Sequence, residues 1–137
     1  MGEVYVDVTL TNAGDEILHR RKKLPARQIR RVKVRALVDT GAVRLVLPSN
    51  IAEKLGLDRI DKQAARYADG RLEEVDLTEP VYVEILDRRT SDQALILGDE
   101  VLIGQTILET TDLQVDCLNR QVIPNPAHPN QPVLPVR

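Results

Sequence analysis

Apolar and polar residues alternate almost from the start of the chain. Val4, Val6, Val8 and Leu10 are spaced by Tyr5, Asp7 and Thr9, a period of two that predicts a half-buried strand over residues 3–11. Asn12-Ala13-Gly14-Asp15 predicts a turn, with a second short strand around Ile17 and Leu18. Val32 and Val34 alternate with Arg31, Lys33 and Arg35, and the strand they predict runs into Ala36-Leu37-Val38. After a second apolar run, Leu45-Val46-Leu47, the stretch Pro48-Ser49-Asn50 opens a short helix. Ser49 is its expected N-cap, Ile51 and Leu55 share a face, and Gly56 suits the position just past its end.

The second half continues in strands. Residues 62–77 centre on Asp69-Gly70, a strong hairpin signal, and Val81, Val83 and Ile85 line one face of a strand that starts at Pro80. Asp87-Arg88-Arg89-Thr90 predicts a turn into a strand over 92–98. The run Val101-Leu102-Ile103 stops at Gly104, and QTILETT after it is long enough for one or two helical turns. Two last strands flank a turn at Leu118-Asn119. The final fourteen residues hold five of the eight prolines and predict an extended or disordered tail. The pattern is that of a mostly β single domain with two short helices over residues 1–123, followed by a proline-rich extension over 124–137.

Composition narrows the core and the chemistry. There is no Phe or Trp and there are three Tyr among 137 residues, so Val, Leu, Ile and Ala must fill the interior. A lone cysteine, Cys117, excludes an internal disulfide, and its place at the end of an alternating strand predicts a small buried hydrophobe. His19 and His128 have no Ser or Cys nucleophile in a suggestive setting and read as surface residues. No Cys/His spacing suits zinc, so neither a metal nor another cofactor is expected. The first residues lack the basic and apolar regions of a signal peptide, and no apolar run approaches a membrane span. A soluble, cytoplasmic domain is expected. Residues 19–35 carry nine of the nineteen Lys and Arg, yet hold no aromatic residue for base stacking. With a net charge of −2 overall, they read as a solvated hairpin arm broken at Pro25 rather than a nucleic-acid patch.

One carboxylate sits where a charge is costly. Asp39 follows Ala36-Leu37-Val38 directly, is followed by Thr40-Gly41-Ala42, and is flanked on the far side by another apolar run. About sixty residues further on stands Leu102-Ile103-Gly104, with the glycine-tipped hairpin between them. This order resembles the retroviral-type aspartic proteases, above all the free-standing bacterial forms, over residues 3–123. In that family a D-T-G-A loop is followed by a strand, a flap hairpin, an apolar-Ile-Gly strand and a short helix. The resemblance implies a retropepsin-like closed β sheet. It also implies an aspartic endopeptidase acting on peptide or protein substrates without a cofactor. Two aspartates about 3 Å apart cannot both ionise, so they share one proton and act together as base and acid towards water and an amide. A bell-shaped pH profile would result.

One D-T-G supplies one aspartate, so the resemblance implies a C2 homodimer in which two copies of Asp39 meet on the axis. It casts Thr40 as the residue that bonds across the axis and Gly41 as the room for substrate backbone. Ala42, Val43 and Arg44 would contact substrate, as would Ile103 and Gly104. Tyr67, Ala68, Asp69 and Gly70 would form the flap; by sequence alone Asp69-Gly70 reads as a plain surface hairpin, and it is the resemblance that makes it a flap. Viral relatives read D-T-G-A-D-D and, later, G-R-N. Here the corresponding residues are Val43-Arg44 and Gly104-Gln105-Thr106, so an acid and its arginine are lost together. Arg44 near the subsites would favour acidic substrate side chains. A dimer that grips peptides or a partner without cutting them is the alternative on the same fold.

Overall fold

A computed structural model describes residues 2–137. The first alternating stretch forms β1 (Tyr5–Asn12), with Val6, Val8 and Leu10 buried. The chain does not then turn into a second strand. Asn12 caps a helix, α1 (Ala13–Arg20), its side-chain oxygen accepting from the Asp15 N–H at 3.1 Å. Acidic Asp15 and Glu16 occupy the first turn, and His19 and Arg20 the last, as the helix dipole favours. An Asx turn and a helix cap use the same side-chain-to-backbone bond, so Asn12 is compatible with either. Two further contacts settle the choice. Asn12 Nδ2 donates to the Leu55 carbonyl at 2.8 Å, and the buried Asp15 takes a two-pronged bond from the Arg30 guanidinium, both distances 2.9 Å.

The basic segment is accordingly no hairpin arm. It comprises the end of α1, a single 3-10 turn at Ala26–Gln28, and the start of β2 (Arg31–Val38), which runs antiparallel to β1 from Thr11↔Arg31 to Tyr5↔Leu37. Strand β3 (Leu45–Leu47) is wholly buried. In α2 (Ser49–Lys54) the cap position belongs to Pro48, with no side-chain bond, and Ser49 is the first helical residue instead. The other end is as expected. Gly56 is left-handed (φ +62), its N–H reaches Glu53 O at 2.9 Å, and Leu57 N–H reaches Ala52 O at 3.0 Å.

Strands β4 (Arg59–Arg66) and β5 (Leu72–Ile85) form the hairpin predicted around Asp69-Gly70. Gly70 takes a φ of +88 and donates to Tyr67 O at 2.9 Å. Strand β5 is continuous through Pro80, which lies at a shift in its register with β6 (Arg88–Ile96), where a missing N–H is tolerated. The turn into β6 is Leu86-Asp87, both with positive φ, rather than 87–90. β7 (Leu102–Ile103), α3 (Gln105–Thr111), β8 (Leu113–Asp116) and β9 (Gln121–Pro124) complete the chain.

Among the described residues, seven strands form one sheet in the order β1-β2-β7-β3-β6-β5-β4. β1 also pairs with β5 (Thr9↔Glu84 to Asn12↔Val81), which closes six of the strands into a barrel and leaves β4 hanging on β5 as an outer flange. The second half of β5 closes the barrel, while its first half carries the flange. The core is aliphatic throughout, with Leu10, Leu45, Leu47, Leu55, Ile85 and Ile103 among its largest fully buried side chains.

Two expectations for the periphery are corrected. Cys117 is exposed, because β8 ends at Asp116 and the chain turns there. His128 is half-buried and partnered: its Nδ1 lies 2.7 Å from Oδ2 of Asp112. The same carboxylate accepts from Asn125 Nδ2 at 2.9 Å and Val133 N–H at 3.0 Å, and Arg88 donates to the carbonyls of Thr111, Asp112 and His128. The proline-rich segment is therefore fastened to the end of α3. These donors, led by Val133 and Asn125, lower the Asp112 pKa to about 2.

Candidate active site

Strands β2 and β7 run parallel side by side, Leu37↔Leu102 and Val38↔Ile103, so the loops that come after them leave the barrel at the same end. Asp39 is the first residue past β2, held there by a bond from its N–H to Ile103 O at 2.9 Å. The loop then closes on itself. Asp39 Oδ1 accepts from the Gly41 N–H at 3.0 Å and its carbonyl from the Ala42 N–H at 3.0 Å.

The start of α3, just past β7, fixes that loop from behind. The first N–H groups of α3 have no partner within the helix. Gln105 N–H donates to Ala42 O at 2.8 Å and Thr106 N–H to Val43 O at 3.3 Å. Gly104 makes the approach possible: a Cβ there would stand 2.6, 2.8 and 2.9 Å from the carbonyl oxygens of Ala42, Val43 and Arg44. A methyl group cannot be fitted against three backbone oxygens at once, which explains why the apolar run must end in glycine and lead into a helix.

A cleft of about 740 Å³ opens beside this loop. Asp39, Gly41, Ala42, Val43 and Arg44 line one side, and Tyr67 and Ala68 from the hairpin line the other. Seven of the twelve sequence-predicted site residues thus meet at one cleft. Five do not. Thr40 faces away, into a second groove of about 670 Å³ between α3, β8 and the tail. Ile103 is fully buried and Gly104 lies under the loop, so both support the site without lining it. Asp69 and Gly70 are at the hairpin tip, where the Asp69 carboxylate is taken up by Arg71. The Tyr67 hydroxyl donates to Glu73 at 2.9 Å, and that bond raises its pKa.

The cleft also has walls that sequence reasoning did not name. Gln63, Ala64, Ala65 and Arg66 of β4 line it, as do Leu95, Leu97 and Leu102 below. The small pair Ala64-Ala65 between the polar residues of the flange strand was the available signal. Asp92 was missed as well. It sits behind Arg44, with Nη1 at 3.4 Å, and accepts from the Leu45 N–H at 2.9 Å. Its burial raises its pKa, against the opposing pull of that N–H and of Arg44. Arg44 is therefore both part of the cleft lining and paired to an acid of its own chain.

Asp39 itself is half-buried, with no cation paired to it among the described residues. Its own chain does not enclose it; Thr40 and Gly41 beside it are exposed. No group of metal-binding side chains occurs among the described residues, and no described helix is long and apolar enough to cross a membrane.

A family model described as "gag-polyprotein putative aspartyl protease" matches residues 26–110, well over half the chain and spanning both Asp39 and Gly104. Among solved structures, the retroviral protease-like domain of Ddi1 from Leishmania major is similar at 17% identity, covering 98% of this chain and 96% of that one, with a TM-score of 0.55. A retropepsin-like aspartic protease from Rickettsia conorii is 20% identical over 84% of this chain and 77% of that one, TM-score 0.48. The Simian Foamy Virus (mac) protease is 14% identical over 76% of this chain and 90% of that one, TM-score 0.47. No curated protein sequence matches. The match to the family model, with the fold shared with the Leishmania domain over nearly the whole chain, shows that this chain belongs to the gag-polyprotein-type, retropepsin-like aspartyl protease family.

Proposed function

We propose that the protein is a homodimeric aspartic endopeptidase in which the Asp39 carboxylates of two subunits activate one water. The observation that carries this is the position of Asp39 on a hydrogen-bonded loop that lines the cleft, facing the 59–72 hairpin, with its carboxylate left short of partners. A second copy supplies the missing group. Two carboxylates brought together share a proton; the charged one takes a proton from water as it attacks the carbonyl, and the protonated one polarises that carbonyl and later protonates the leaving nitrogen. Thr40 would bond across the two-fold axis, a role supported by its exposure on the side away from the cleft. The hairpin acts as the flap that excludes water over an extended peptide. Leu95, Leu97, Leu102 and the alanines of β4 suit an apolar segment at the scissile bond.

The test is cleavage of casein from about pH 4 to pH 7, where carboxylate pairs of this kind work, by wild type and Asp39→Asn side by side. Cleavage by wild type alone supports the proposal. Folded dimers of both that leave casein intact at every pH would favour a peptide-gripping dimer instead. One observation gives that second reading its weight: Val43 and Arg44 offer no acidic side chain to hold a substrate backbone.

A further inference from the structure

The cleft wall carries one ion pair that the proposed hydrolysis does not use. Arg44 lines the cleft, and its Nη1 stands 3.4 Å from Oδ1 of Asp92 on β6. That bond is long and single, and the remaining guanidinium N–H groups have no partner among the described residues. Asp92 is held far more firmly. Oδ2 accepts from the Leu45 N–H and Oδ1 from the Gln93 N–H, both at 2.9 Å. The Asp92 side chain is 9% exposed, that of Arg44 33%. A half-exposed cation is thus tethered by one nitrogen to a fixed carboxylate behind the cleft wall, with its other donors unspent.

We propose that Asp92 is a positioning residue that neutralises Arg44, so that this part of the cleft takes an acidic substrate side chain when Asp92 is uncharged and a neutral one when it is charged. The inference rests on the protease reading above. An anion that approaches Arg44 while Asp92 is ionised meets a paired charge, whose attraction is largely cancelled; removing the negative member leaves the full positive field in a site partly shielded from water. Arg44 is the one charged group bearing on Asp92 among the described residues, and the residue opposite it on β5, Val81, is buried and apolar. Burial favours the neutral form of Asp92 and raises its pKa, which moves the change towards the pH range in which a carboxylate pair is active.

The experiment uses matched peptides with cysteic acid or Gln placed in turn at each position within about four residues of the cleaved bond, the reach of an extended segment in a cleft of this kind. Cysteic acid stays charged throughout, so only the protein titrates. At pH 7, Asp92→Asn is expected to raise the cysteic acid to Gln ratio of kcat/KM at one position by about tenfold, the worth of one charge-assisted bond. In wild type the same ratio climbs as the pH falls from 7 to 4, whereas in Asp92→Asn it is already high and flat, and in Arg44→Gln low and flat. Cleavage with one ratio in wild type and both variants at every pH overturns the assignment and leaves the protease reading standing. Failure of wild type to cut any peptide overturns both. Should Asp92→Asn not fold, the wild-type pH profile against Arg44→Gln still decides.

Discussion

Asp39 and Asp112 occupy the same kind of position, each the first residue beyond a regular element, and the chain treats them in opposite ways. Asp112, past α3, takes bonds from Asn125, His128 and the Val133 N–H, and its pKa falls to about 2. Asp39, past β2, takes one side-chain bond, from Gly41 two residues on, and has no cation paired to it among the described residues. The first carboxylate is saturated by its own chain and fastens the tail. The second stands on a loop hydrogen-bonded to β7 and α3 but is left open. A structural carboxylate is satisfied by its own chain; a carboxylate held by its backbone with its side chain available is what the proposed chemistry requires.

Amide substitutions should separate the two aspartates. Asp39→Asn is expected to cut proteolysis by on the order of 10⁴-fold while moving the thermal midpoint by less than about 2 °C. A large stability change would mean that Asp39 is a structural acid like Asp112. Gly104→Ala attacks the frame rather than the carboxylate. Forcing a methyl group onto three carbonyl oxygens should cost about 3 kcal/mol in urea unfolding and displace the loop that holds Asp39. A loss under about 1 kcal/mol would show that the loop can yield.

Asn12→Ala removes the α1 cap and the bond to Leu55 O, at a cost of about 2 kcal/mol in the same assay. Activity should survive in the molecules that remain folded. The smallest effect is expected at Asp112. Its folded pKa lies below the ordinary value, so its contribution to stability is complete above about pH 4 and is lost as the pH falls through about 2. Asp112→Asn should therefore melt below wild type at pH 7 and together with it near pH 2. A gap that persists at the lower pH would contradict the pairing.

Most of the barrel could be read from alternation, because a half-buried strand writes its burial into every second residue. Val4 to Leu10 and Val81 to Ile85 fall inside as expected. The loop at Asp39 was legible for a different reason: a carboxylate between apolar runs and a glycine stop at Gly104 are both costly without a purpose. The features that stayed hidden depend on distant partners. Asn12 caps a helix only because Leu55 and Arg30 secure it and the first turn beyond it, and a local window contains neither. Arg88, Asp112 and His128 meet through loops well separated in sequence. Asp92 looked like an ordinary polar residue at the start of a strand until β3 was laid parallel to β6 beside it.

The central claim is that one site needs Asp39 from two chains. Mixing tests it most directly: wild type and Asp39→Asn are combined in equal amounts, allowed to exchange, and assayed on casein at constant total protein. If both carboxylates are required, random pairing leaves about one quarter of the dimers intact, and activity falls to about that fraction of the unmixed wild type. Activity that falls only to about one half, in proportion to the wild-type chains present, would show that each chain works alone and would contradict the account.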